Sequence, residues 1–134
     1  MFEYHGWITV QGSAGEDTGA DSKRILHTAE SMVLILDKLP GLADVRKING
    51  TLQAHFGGCS NQRRGQGQLV VDIFIKVGEV APGSYGVLHF RDDADTTGRT
   101  NQFQVLVMRR GLVTAHHDEL LSPCAPLIED VPGG

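Results

Sequence analysis

The sequence is poor in the features that would place it in several large protein classes. It holds two cysteines in 134 residues, Cys59 and Cys124. That wide spacing fits neither a close-set metal pair nor a disulfide-dense secreted scaffold, so two reduced thiols are expected. No stretch approaches the roughly 18 apolar residues of a membrane-spanning helix. The start Met-Phe-Glu-Tyr-His-Gly-Trp sets an acid and a histidine ahead of any apolar run, unlike a secretory signal. A soluble, cytoplasmic protein is the expectation. Long basic runs are also missing: 12 Lys and Arg stand against 16 Asp and Glu for a formal net charge of −4, and the basic residues come as the pairs Lys23-Arg24, Arg63-Arg64 and Arg109-Arg110. Direct nucleic-acid binding is therefore not indicated, and a basic partner is the easier match. No internal repeat or low-complexity block is present, and the length suits one domain with one hydrophobic core.

What is present is periodic. Over residues 2–10, Phe2, Tyr4, Gly6, Ile8 and Val10 share one face and Glu3, His5, Trp7 and Thr9 the other, the two-residue period of a strand. Residues 11–21 form a Gly-rich loop. Asp21 or Ser22 is a suitable N-cap for a helix over 23–39, where Ile25, Ala29, Met32, Val33, Leu36 and Leu39 recur at three-and-four spacing until Pro40-Gly41. Asn49-Gly50, between strands at 44–48 and 51–56, predicts a hairpin with a type I′ turn. Residues 57–67 read as a loop, and Leu69, Val70, Ile73, Phe74, Val77 and Val80 predict a second helix that Pro82-Gly83 stops. Residues 85–90 read as a central strand, apolar on both faces. A last hairpin joins 103–108 to 112–115 through Arg109-Arg110-Gly111, and a Pro-containing tail, 118–134, is expected to lie over the surface. Together these predict one α+β domain over 1–134. Two helices pack on one face of a largely antiparallel sheet, in the ferredoxin-like order β-α-β-β-α-β with an added C-terminal hairpin.

Candidate chemistry is thin. Asp93, Asp95 and Gly98 fall at the first, third and sixth places of a calcium loop, but the twelfth place is Gln104 and not a bidentate Glu. Six histidines include no His-x-His or His-x3-His pair, so the local geometry of a zinc site is missing. Ser84 follows a helix and precedes a strand, the reverse of a hydrolase elbow. Gly65-Gln-Gly67 lacks the third glycine and the preceding strand of a dinucleotide loop. No catalytic residue, metal or cofactor is expected, and the chain reads as a non-enzyme. Trp7 and Tyr4 are expected to pack in the sheet core. Arg91, Asp92, Asp93 and Asp95 are expected in a surface loop after the central strand, where their charges stay hydrated. The competing reading is a small-molecule- or metal-binding α+β domain, or an enzyme of unknown reaction, using a cleft beside His5, His55 and His89. A structural subunit of a homo-oligomer is a third.

Several ordered fragments then carry a resemblance. Residues 1–7, the run Ala-Pro-Gly-Ser-Tyr-Gly-Val-Leu-His-Phe-Arg-Asp-Asp-Ala-Asp from Ala81 to Asp95, Asn101 with Phe103, Arg110-Gly111, Leu-Ser-Pro, Pro126 and Glu129-Asp130 together resemble the immunity protein 7 family of bacterial polymorphic toxin systems. The chain departs from that pattern at 57–67 and 94–100. The resemblance implies a small cytoplasmic α+β inhibitor that binds a cognate toxin domain and protects the producing cell and its kin. Arg91, Asp92 and Asp93 match the family's Arg-Asp-Asp run. On that reading Arg91 joins Asp92, Asp93, Asp95, Glu16, Asp17, Asp118 and Glu119 as partner-binding candidates, the acids steering a toxin domain by charge. A basic nuclease is one such toxin, with neither nucleic acid nor membrane bound directly.

Overall fold

Strand-forming residues at the start of the chain fold as one long strand, β1 (Phe2–Val10), and the sheet is assembled on it. The computed structural model describes residues 1–12, 20–61, 63–94 and 102–121. After β1 come helix α1 (Ala20–Asp37), strands β2 (Leu42–Ile48) and β3 (Thr51–Ser60), helix α2 (Gln68–Val80), and strands β4 (Tyr85–Asp92), β5 (Gln104–Arg109) and β6 (Leu112–His117). The strands form one sheet in the order β2-β3-β1-β4-β5-β6, and every neighbouring pair is antiparallel. The α+β class and the chain order of elements are as expected. The exact ferredoxin-like order is not matched, because the last hairpin continues the ladder beyond β4 and makes the sheet six strands wide.

The alternation in β1 decides which side is covered. Phe2, Tyr4, Ile8 and Val10 are buried, and with Ala54, Phe56, Leu88, Phe90, Leu106 and Met108 from the other strands they meet the apolar stripes of both helices. Those stripes are Ala29, Val33 and Leu36 of α1 and Val70, Val71, Ile73, Phe74 and Val77 of α2. Each such side chain contributes roughly 1.5–3 kcal/mol relative to exposure. Phe2 stacks on Phe90 with ring centroids 5.4 Å apart, and the Arg63 guanidinium lies 5.3 Å from the Phe90 centroid.

Local boundaries moved where tertiary partners were available. Residues 57–60, read as loop, extend β3 and pair with Phe2, Glu3, Tyr4 and His5. The nine-residue β1 offers backbone donors and acceptors there, and pairing them outweighs the roughly 0.5–1 kcal/mol entropic cost of each strand glycine. Glycine is also needed sterically, since a Cβ on Gly58 would sit 2.8 Å from the Tyr4 hydroxyl. Helix α1 starts at Ala20, so Ser22 lies in its first turn instead of capping it. The Asn49-Gly50 turn forms as expected, with positive φ at both residues (52° and 79°).

The corner after α2 ties three elements together. Ser84 is fully buried; its hydroxyl accepts from the Gln11 N–H at 3.1 Å, and its carbonyl accepts from the Gly111 N–H at 2.8 Å. The β5–β6 turn thereby reaches α2 backbone to backbone. A Cβ on Gly78 would stand 2.4 Å from the Gly111 carbonyl oxygen, so no side chain fits. Gly78→Ala is therefore expected to lower stability by about 1–3 kcal/mol in urea unfolding. Alanine at the neighbouring exposed Glu79 should change it by less than about 0.5 kcal/mol.

Candidate functional site

Both helices lie on one side of the sheet, so the alternate residue of each strand faces away from them. Cross-strand register sorts these outward residues into rows. Asp44, His55, Trp7, Val87, Val107 and Thr114 form one row; Leu42, Gly57, His5, His89, Val105 and His116 form the next. Four of the six histidines thus share one face. Over β2, β3, β1 and β4 the face dips into an open groove of about 720 Å³ lined by His5, Trp7, Leu42, Asp44, His55, Val87 and His89. Its apolar groups are accessible: Leu42 is 80% exposed and Trp7 37%, the indole meeting the Tyr85 ring edge-on at 6.1 Å. Trp7 was expected in the core with Tyr4. Tyr4 is buried, but the two-residue period aims Trp7 to the uncovered side.

Carboxylates interleave with these rings. His5 Nε2 lies 3.0 Å from Glu3 Oε2, while Arg91 Nη2 donates to Glu3 Oε1 at 3.4 Å. His89 Nε2 lies 3.2 Å from Asp118 Oδ2, and Arg46 Nε donates to Asp44 Oδ1 at 2.8 Å. Asp118 also accepts the backbone N–H groups of Leu120 (2.9 Å) and Leu121 (3.3 Å). The Leu120 N–H is the largest cause holding the Asp118 carboxyl below the ordinary aspartate range, with Leu121 and His89 adding to it against partial desolvation.

The expected contact residues divide. Arg91 and Asp92, expected in a surface loop, are each only 8% exposed within β4. The strand runs two residues longer than its apolar pattern because Glu3 and Phe2 of β1 pair with Arg91 and Asp92. Arg91 then projects to the uncovered side, its Nε buried with no hydrogen-bond partner among the described residues. Asp92 folds back to accept the Ala94 N–H at 3.0 Å. Asp93 is exposed and pairs with the Met1 amine. Asp93 follows the end of β4, and Asp118 and Glu119 follow β6, so the topology gathers all three at one end of the sheet. Glu16, Asp17 and Asp95 lie outside the described residues, as do the calcium-like places from 95 to 100 and the tail from 122 onward.

The face is suited to binding. Among the described residues no group of three His, Cys, Asp or Glu side chains could hold a metal ion. Cys59 is an exposed free thiol across from Glu3. No helix of the described residues is long and apolar enough to cross a membrane. Sequence reading named His5, His55 and His89 as cleft neighbours, and the groove does bring them together. It missed His116 on the same face, since only strand register aligns it with the others; Trp7 shares the His5 face as its period implied, but is exposed there.

A family model described as Immunity protein 7 matches residues 1–130 of the chain. Neither curated proteins nor solved structures gave a match.

The Asp118 turn yields a pH prediction. A carboxyl held below its ordinary value stabilises the fold above the unfolded value of about 3.9, and that contribution fades as the pH falls through the folded value. The stability difference between the wild type and Asp118→Ala in urea unfolding should be greatest above about pH 5 and shrink on acidification below about pH 4.

Proposed function

Because the chain belongs to the immunity protein 7 family, we propose that it is an immunity protein. It binds and neutralises a cognate bacterial toxin domain, protecting the producing cell and its kin from the cytoplasm. The full-length family match, residues 1–130, is the observation that carries this reading. Inhibition of this kind needs occlusion and no chemistry of its own.

Charge supports how the partner is met. The chain has a net charge of −4, and Asp93, Asp118 and Glu119 stand at one end of the sheet. A negative surface speeds encounter with a basic domain and repels acidic competitors. If the toxin is a nuclease, these carboxylates occupy the place of nucleic-acid phosphates. Asp95, Glu16 and Asp17, outside the described residues, are further candidates for steering. Buried Arg91 and Asp92 act indirectly, by fixing the end of β4 from which Asp93 projects.

A second reading is favoured by one observation: the groove beside His5, His55 and His89 has the volume of a small-molecule site, about 720 Å³. A metabolite that raises the melting temperature strongly, with no toxic protein partner recovered, would move the assignment there.

Capture of partners by the tagged protein in its own host, followed by expression of each partner with and without this chain, tests the proposal. A captured domain that kills alone and is silenced by co-expression is the expected result. Steering is tested with the triple variant Asp93→Asn, Asp118→Asn, Glu119→Gln. Its association rate should fall about tenfold at low salt, with dissociation little changed. A rate insensitive to both salt and neutralisation would remove the acidic end from the binding surface.

A further inference from the structure

The sheet is open at both sides, because β2 and β6 each have a single neighbour. On β2 the open edge runs the whole strand, Leu42–Ile48, and holds no proline. The turn that follows decides which of its backbone groups are free. Asn49-Gly50 is a two-residue turn with positive φ at both positions, so Ile48 and Thr51 form the hydrogen-bonded pair that closes the hairpin. Antiparallel ladders alternate such pairs with non-bonded ones. Leu42, Asp44, Arg46 and Ile48 therefore direct their N–H and C=O groups at β3, while those of Ala43, Val45 and Lys47 point away from the sheet. Among the described residues no hydrogen bond reaches these outward groups.

The side chains along this edge match the same strand running the other way. Antiparallel pairing of two copies centred on Val45 sets Asp44 opposite Arg46 of the second copy and Leu42 opposite its Ile48, with Ala43 opposite its Lys47. The reciprocal pairs follow by symmetry. Residues equally far from Val45 lie on one face, so the opposite charges meet on the uncovered side, flanked by the exposed Leu42 and Ile48. Lys47 stands opposite a small residue, which leaves room for its stem. The free backbone groups match as well: Val45 exchanges two bonds with its own copy, and Ala43 and Lys47 exchange two at each end. Asp44 and Arg46 already touch within one chain, Nε donating to Oδ1 at 2.8 Å. That contact uses one carboxylate oxygen and one of five guanidinium N–H groups, so Oδ2 and the Nη groups are available to the second copy. Strand β6 has no comparable pattern, since its only ionisable side chains are His116 and His117.

We propose that β2 is a dimer interface, at which two copies of this chain pair edge to edge about a two-fold axis through Val45. The occupant is selected by charge, because a strand of the order acid, apolar, base is complementary to itself only when antiparallel and centred on the apolar residue. Two-fold pairing closes, giving one twelve-stranded sheet with both helical layers on one side and both uncovered faces on the other. Leu42, at the rim of the groove, gains Ile48 of the second copy as its neighbour. This inference goes beyond the immunity reading and does not rest on it.

Sedimentation equilibrium of the full chain over a wide concentration range tests it, and a reversible monomer to dimer equilibrium is expected. Asp44→Arg and Arg46→Asp each set like charges opposite one another twice per dimer, so each variant alone should raise the dimer dissociation constant at least about tenfold. An equimolar mixture of the two should form a mixed dimer about as tight as the wild type, and the double variant Asp44→Arg, Arg46→Asp should regain self-association, because in both cases opposite charges face each other again. Both side chains are exposed, so the fold tolerates these changes, and unchanged circular dichroism checks it. A chain that stays monomeric at every concentration would overturn the inference. So would a dimer indifferent to both single variants, a mixture that fails to re-associate, or oligomers that grow without closing, the signature of β2 pairing with β6. Recovery of a different protein on this edge, with the chain itself monomeric, would assign β2 to that partner and overturn the inference too.

Discussion

Two helices can cover one face of a six-stranded sheet and no more. Helices α1 and α2 fill the side carrying Phe2, Ile8, Leu88 and Met108, and among the described residues no helix lies on the other side. Everything notable about the surface follows from that imbalance. The strands must be apolar toward the helices, while their alternate residues are free to be His, Glu, Thr or Trp. An uncovered sheet face is broad and rigid, because each backbone group on it is already tied into a ladder, so its side chains are presented with little conformational freedom.

Strand β1 turns this layer arrangement into specific neighbours. It is central, hydrogen-bonded to β3 on one side and β4 on the other, and its length dictates how far each partner extends. Residues 57–60 and the Arg91-Asp92 pair are strand because Phe2, Glu3, Tyr4 and His5 require partners. A guanidinium is buried as a result. Arg91 is tolerated at that depth because Glu3 accepts from its Nη2, and the pairing in turn sets where Glu3 stands beside His5. The Ser84 corner does the same at the opposite end, joining β1, α2 and the β5–β6 turn through one buried hydroxyl, one carbonyl and the Gly78–Gly111 contact.

These placements suit the proposed role of covering a protein partner. Exposed aromatic and aliphatic groups ringed by charge are the usual composition of a surface that anchors a protein chain, the apolar centre slowing release and the charged rim guiding approach. The acids at the end of β4 and β6 and the histidine-bearing groove adjoin one another through the His89–Asp118 contact.

Much of the fold was legible because it depends on near neighbours in the chain. The period of two in residues 2–10, the three-and-four spacing in both helices, the Asn49-Gly50 turn and the terminal hairpin all express local sterics and burial, and each element formed within a few residues of where its pattern placed it. The candidate site was legible only in part. Asp93, Asp118 and Glu119 reached one end of the sheet, and His5, His55 and His89 reached one groove, but the charges of Arg91 and Asp92 misled because polarity alone reads as surface. By itself, then, the sequence determined the elements, the class and the family, since periodicity and turn chemistry act over a few residues. Tertiary structure alone decided that Arg91 is buried, that Trp7 is exposed and that four histidines share a face, because strand register is fixed by pairing between segments far apart in the chain.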